Sequence, residues 1–192
     1  MSSLFLDNLD AHLALFSALH GLEPAVRAAG EQVASCLREG GKLMVCGNGG
    51  SAADSQHIAA EFTGRFIHDR RPLAAMALST DTSALTCIAN DYSFDEVFAR
   101  QVEALGRAGD CLLAISTSGN SPNVVRAAEA AKRAGMVVIG LLGHDGGRLA
   151  SLCDLPIVVP ENSTARIQEA HIFIGHTICG LTERALGLSD TA

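Results

Sequence analysis

An imidazole and a carboxylate stand one helical turn apart at His57 and Glu61. A second imidazole, His176, lies far along the chain in the stretch RIQEAHIFIGH, which also holds Gln168. A carboxylate and an imidazole suit a reaction in which one group takes a carbon-bound proton and the other manages neighbouring oxygens. At about 100° per residue, His57 and Glu61 lie about 40° apart on one helical face, so they can converge on one ion. Taken alone, they are equally a satisfied histidine and a solvated helix-face carboxylate, and only a partner segment decides. His176 sits within IFIGHTICGL, where an unpartnered imidazole would be costly, so a polar partner is expected for it. His171 lies at a different angle and is expected at an interface or exposed. His12, His20, His68 and His144 have no ligand spacing and read as surface residues. Glu169, two turns from His176 and about 20° away around the helix, reads as an orienting or capping group.

Two loops rich in small polar residues could hold an anion. The first, CGNGGSAAD, follows the apolar run KLMVC. Its Gly47, Gly49 and Gly50 permit close backbone approach, and Ser51 can cap the following helix or contact a ligand. The second, STSGNSPN, follows CLLAIS and sets Ser116, Thr117, Ser118 and Ser121 around Gly119, with Pro122 suited to a helix first turn. Backbone N–H groups at a helix start carry partial positive charge and hydroxyls add neutral donors, so a phosphate monoester can be held without a dedicated lysine. Neither loop is a nucleotide P-loop, which needs Lys before its Ser/Thr.

The elements that must position these residues alternate along the chain. Short apolar runs KLMVC (42–46), AAMAL (74–78), CLLAIS (111–116), VVIGLL (137–142) and LPIVV (155–159) are separated by helical segments. That pattern predicts an α/β fold: a three-layer, doubly wound, five-stranded parallel sheet with right-handed crossovers. Two additional N-terminal helices precede it within residues 4–38, broken near GLEP, with Pro24 in the first turn of the second. The stretch from Ser163 to Gly187 reads as one long helix. Residues 1–192 are expected to form a single domain, with 1–40 the N-terminal helices and 41–192 the sheet and its crossovers.

A formal charge of −7, with 14 basic residues and no strong basic cluster, argues against a nucleic-acid partner. Cys36, Cys46, Cys87, Cys111, Cys153 and Cys179 contain no CxxC pair and read as buried small hydrophobes in a reducing compartment. The first residues lack a basic n-region, and no run of about 18 apolar residues occurs, so a soluble cytoplasmic protein without a membrane partner is expected.

With CGNGGSAAD, HxxxE, STSGNS and RIQExHxxxxH in this order, nearly the whole chain resembles the phosphoheptose isomerase family of the sugar isomerase (SIS) fold. The resemblance implies interconversion of sedoheptulose 7-phosphate and D-glycero-D-manno-heptose 7-phosphate, the first step towards ADP/GDP-heptose and lipopolysaccharide. It implies that Glu61 and His176 are the acid/base pair, and that His57, Glu61, Gln168 and His176 hold one zinc ion per subunit. Ser116, Thr117, Ser118 and Ser121 would contact phosphate, while Asn48, Gly49, Gly50, Ser51, Asn90 and Asp91 would line the sugar pocket with Glu61 and Gln168. A homotetramer with shared active sites is implied too. Some members carry an acidic residue where this chain has Ala165, which puts a carboxylate role there in doubt.

On a continuous helix Gln168 and His176 are separated by a rise of about 12 Å. Either Gln168 acts in a neighbouring subunit, or the backbone departs from a straight helix. Two other functions fit parts of the pattern: a non-catalytic SIS-fold protein that binds the replication initiator, and a different phosphosugar enzyme. The first would not need Glu61 and His176.

Overall fold

The computed structural model describes residues 3–189. Five strands, β1 (Leu43–Cys46), β2 (Ala75–Ala77), β3 (Cys111–Ser116), β4 (Val137–Leu142) and β5 (Leu155–Val158), form one parallel sheet in the order β2-β1-β3-β4-β5. Each falls within its predicted apolar run. The helices are α1 (Leu4–Ala18), α2 (Glu23–Arg38), α3 (Gly50–Thr63), α4 (Thr82–Asp91), α5 (Ala99–Leu105), α6 (Pro122–Arg133), α7 (Gly147–Leu152) and α8 (Thr164–Ala185).

The side-chain alternation of a strand divides the core in two. Cys111, Leu113 and Ile115 of β3 pack with Val33 of α2, Ile58 and Phe62 of α3, and Ile167, Ile174 and Ile178 of α8. Leu112 and Ala114 face the other way, onto Val102 of α5, Val124 and Ala128 of α6 and Leu149 of α7. Both layers are built mainly from Ala, Val, Leu and Ile, as expected of a parallel sheet covered on both faces. The helices obey local rules. Apolar positions Val26, Ala29, Val33 and Leu37 put one stripe of α2 inside. Asp81 caps α4 by accepting from the Ala84 N–H at 2.9 Å. Pro156, which cannot donate to a ladder, lies in the edge strand β5.

The strand order reverses between β1 and β3. From β1 the chain steps outward to β2, then returns to lay β3 on the other side of β1. The loops after β1 and β3 therefore lie side by side at the carboxyl edge of the sheet, where open α/β sheets form ligand crevices. These are the two loops singled out from the sequence. No helix among the described residues is long and apolar enough to cross a membrane.

Candidate active site

Helices α3 and α8 lie on the same face of the sheet and bring three side chains together. His57 Nε2 lies 3.0 Å from Glu61 Oε1 and 3.0 Å from His176 Nε2. Glu61 is the more enclosed partner, with 22% of its side chain exposed against 50% for His57. The ring of Phe66 stacks on His176 with centroids 5.4 Å apart. His176 opens onto a cleft of about 770 Å³ that Phe66, Phe173 and Arg184 also line.

One ligand atom from each of His57, Glu61 and His176 lies within 4.8 Å of the others. Two imidazole nitrogens 3.0 Å apart cannot both present lone pairs to each other; the contact needs a proton or a cation between them. Two imidazoles and a carboxylate are also a donor set suited to a borderline divalent cation. The three residues thus fit a metal.

Gln168 stands apart from them. Helix α8 is continuous from Thr164 to Ala185, which removes the broken-backbone explanation for a shared ligand set. The Gln168 amide instead packs over Gly50 at the start of α3, where an added Cβ would lie 2.5 Å from its Nε2. It therefore belongs, within this chain, with the first glycine loop.

The hydroxyl loop is compact. Ser116 and Ser121 place their Oγ atoms 3.0 Å apart. Ser121 occupies the N-cap position of α6 without spending its hydroxyl on a cap, so its Oγ faces the loop interior. Ser118 is exposed and Thr117 half-buried. Asn120 braces the loop from behind: its amide donates to Ser118 O at 2.9 Å and its Oδ1 accepts from the Arg148 N–H at 3.0 Å.

Asn123, buried in the first turn of α6, joins the two loops. Its side-chain amide exchanges two hydrogen bonds with that of Asn48, both 2.8 Å. The Asn48 amide is thereby committed to α6 and fixes the loop rather than extending into open space. Replacing Asn123 by Leu should leave Asn48 unpaired and raise KM for a phosphosugar at least tenfold, with a smaller change in kcat, because an orphaned polar group costs about 1–3 kcal/mol. Steady-state kinetics on the purified variant measures this; an unchanged KM would mean that the loops do not depend on the pair.

Asn90 and Asp91 lie exposed at the end of α4, on the opposite face of the sheet from α3 and α8. Hydrogen bonds from Asn90 and Cys87 hold the Asp91 carboxyl below the usual carboxylate range. Cys87 is exposed and Cys153 half-buried, so two of the six cysteines depart from the expected burial. His171 departs further. It is fully buried, its Nε2 lies 3.1 Å from Leu142 O, and burial pushes its imidazole down to about 4. Its contact is the backbone carbonyl of the last residue of β4, a strand partner that angular position on α8 cannot show. Sequence reasoning also passed over Asp54, one turn before His57, whose carboxyl burial raises. The SAADSQH spacing places it on the same side of α3 as His57.

The topology and the paired loops define a sugar-isomerase-type α/β domain, and the SIS domain family matches residues 7–143. Similarity extends well beyond that segment. The chain is 56% identical over 171 residues to the phosphoheptose isomerase of Rhodospirillum rubrum, covering 89% of this chain and 91% of that protein. It is 50% identical to the Helicobacter hepaticus phosphoheptose isomerase, over 97% of this chain and 95% of the relative. The solved phosphoheptose isomerase from Francisella tularensis superposes with a TM-score of 0.91 at 37% identity, covering 96% of this chain and 100% of that one. That of GmhA from Neisseria gonorrhoeae gives 0.83 at 51%, covering 94% and 95%. The chain belongs to the phosphoheptose isomerase family.

Proposed function

We propose that this chain interconverts sedoheptulose 7-phosphate and D-glycero-D-manno-heptose 7-phosphate. The observation that carries the reading is the convergence of His57 and Glu61 of α3 with His176 of α8; the loop after β3 adds hydroxyls suited to the phosphate end. In the ketose-to-aldose direction Glu61 takes a proton from C1, while His176 supplies one to O2, giving a cis-enediol. Proton return to C2 and loss of the O1 proton then complete the aldose. Atoms and electrons balance without an external oxidant. Ser116, Thr117, Ser118 and Ser121 hold the phosphate, and Asn48, Gly49, Gly50 and Ser51 form the wall nearest the sugar.

His57, Glu61 and His176 would hold zinc, with Gln168 of a neighbouring subunit as a fourth ligand. A bound zinc would polarise the substrate's carbonyl and hydroxyl oxygens. Asn90 and Asp91, exposed at the end of α4, would line the sugar pocket from across a subunit boundary. A cytoplasmic homotetramer with shared sites accounts for both. Exposed apolar residues of α1 support it, Leu4 at 77% and Phe5 at 72%, as does an apolar groove of about 340 Å³ between α2 and α8. Residues 1–192 act as one domain, and the product enters heptose-nucleotide synthesis.

The test is an isomerase assay on purified protein with metal analysis and light scattering on the same sample. Turnover of sedoheptulose 7-phosphate, about one zinc per chain and a mass above that of one chain are expected. A folded protein that leaves this substrate unchanged and is monomeric at micromolar concentration would reject the reading.

A further inference from the structure

The end of α3 is held by an ion pair that lies outside the chemistry. Arg70 and Glu183 bond through Nε and Oε1 at 2.6 Å, each with only 2% of its side chain exposed. The rest of the Arg70 guanidinium is spent on backbone carbonyls. Nη2 donates to Glu61 O at 2.7 Å, and Nη1 lies 2.9 Å from Phe62 O and 3.1 Å from both Gly64 O and Arg71 O. A helix leaves its last carbonyls without intrahelical donors. Here one planar, fixed fork of N–H groups satisfies that of Glu61 and shares that of Phe62 with the Leu73 N–H, 3.0 Å away, and so helps to set how α3 ends.

Glu183 serves the other helix. It lies on α8 seven residues after His176, which places it about 20° around the helix from that residue and two turns further on. Its Oε1 also accepts from the Phe66 N–H at 3.4 Å. Phe66 is the residue whose ring stacks on His176. The pair therefore reaches Glu61 through that residue's own carbonyl, and His176 through the placement of Phe66.

Resting on the isomerase reading above, we infer that Arg70 and Glu183 are positioning residues: they fix the separation and aim of Glu61 and His176 without touching substrate. Burial of a charged pair is a poor route to stability for its own sake, since hydrophobic replacements often serve as well. A role in geometry explains why this pair sits where α3 and α8 must stay in register.

Arg70→Lys is the informative variant. A lysine ammonium can still neutralise Glu183, but it lacks the fork that reaches both Glu61 O and Phe62 O. Loss of that geometry should lower kcat between about tenfold and a hundredfold. KM for sedoheptulose 7-phosphate should change less than about threefold, because the hydroxyl loop lies on separate elements. The ring signals of His57 and His176 in ¹⁵N-histidine spectra should move, while that of His171, buried between α8 and β4, should stay. If Arg70→Lys does not accumulate as folded protein, Arg70→Met combined with Glu183→Leu leaves no unpaired buried charge and is read in the same way. Wild-type kcat with unmoved His57 and His176 signals would overturn the inference. So would displacement of the His171 signal together with the other two, or a KM that rises as far as kcat falls. A wild-type protein without turnover would reject the proposed reaction instead, and the spectra would still decide the positioning role.

Discussion

Replacing Glu61 by Gln is expected to slow turnover of sedoheptulose 7-phosphate about a thousandfold, within the range of about 10²–10⁴ typical of a general acid or base. That corresponds to about 4 kcal/mol of barrier. The amide oxygen can keep the polar contact with His57 Nε2, which lies 3.0 Å from Glu61 Oε1, so the local geometry survives. What is lost is a group able to take a carbon-bound proton. KM should stay within a few-fold, since the proposed phosphate grip lies on the loop after β3, and the thermal midpoint should shift little for a side chain still 22% exposed. Loss of kcat alone is the signature of an interaction made only in the transition state. His176→Asn should fall in the same range. The double variant should be scarcely slower than the worse single, because the two groups act as a unit. Undiminished turnover in Glu61→Gln would remove the carboxylate from the chemistry. A proportional rise in KM would recast it as a binding group.

How much of this site the chain disclosed on its own follows from what periodicity can carry. The strands were legible because their apolar runs are short, regular and bounded by turns, and α8 because its helical pattern runs unbroken to its end. The juxtaposition of the two loops followed from strand alternation, since a doubly wound sheet must have a switch point. Side-chain partners across long separations were not legible. Nothing beside Pro122 marks Asn123 out in the sequence, and its partner Asn48 is 75 residues upstream. Arg70 lies in the irregular stretch HDRRP, which has no period to read, and its ion-pair partner is 113 residues away. Helical geometry gave the correct separation of Gln168 from His176, but not that the amide would settle over Gly50.

Gly119→Ala should uncouple phosphate binding from catalysis. Gly119 has φ +64°, and an added Cβ would lie 2.0 Å from Gly146 O and 2.8 Å from Gly147 N, both backbone atoms that no rotamer change can move. The left-handed conformation costs an alanine about 1–2 kcal/mol, and the overpacking about 1–3 kcal/mol more. The loop cannot relax by yielding at its neighbour either, because the Leu149 N–H bonds Gly119 O at 3.0 Å and ties it to α7. Strain of this size is relieved by shifting the segment between Ser116 and Ser121, whose hydroxyls would have to converge to hold the proposed phosphate. KM should rise at least tenfold, while kcat at saturating substrate stays within a few-fold because Glu61 and His176, the proposed acid/base pair, stand on α3 and α8. Gly109→Ala is the control: φ is +90° there but a Cβ would meet nothing within 4 Å. It should lose about 1–2 kcal/mol in chemical denaturation with KM unaltered. Equal KM values in the two variants would show that the hydroxyl loop does not grip the phosphate, since only Gly119 presses its backbone against that loop's support.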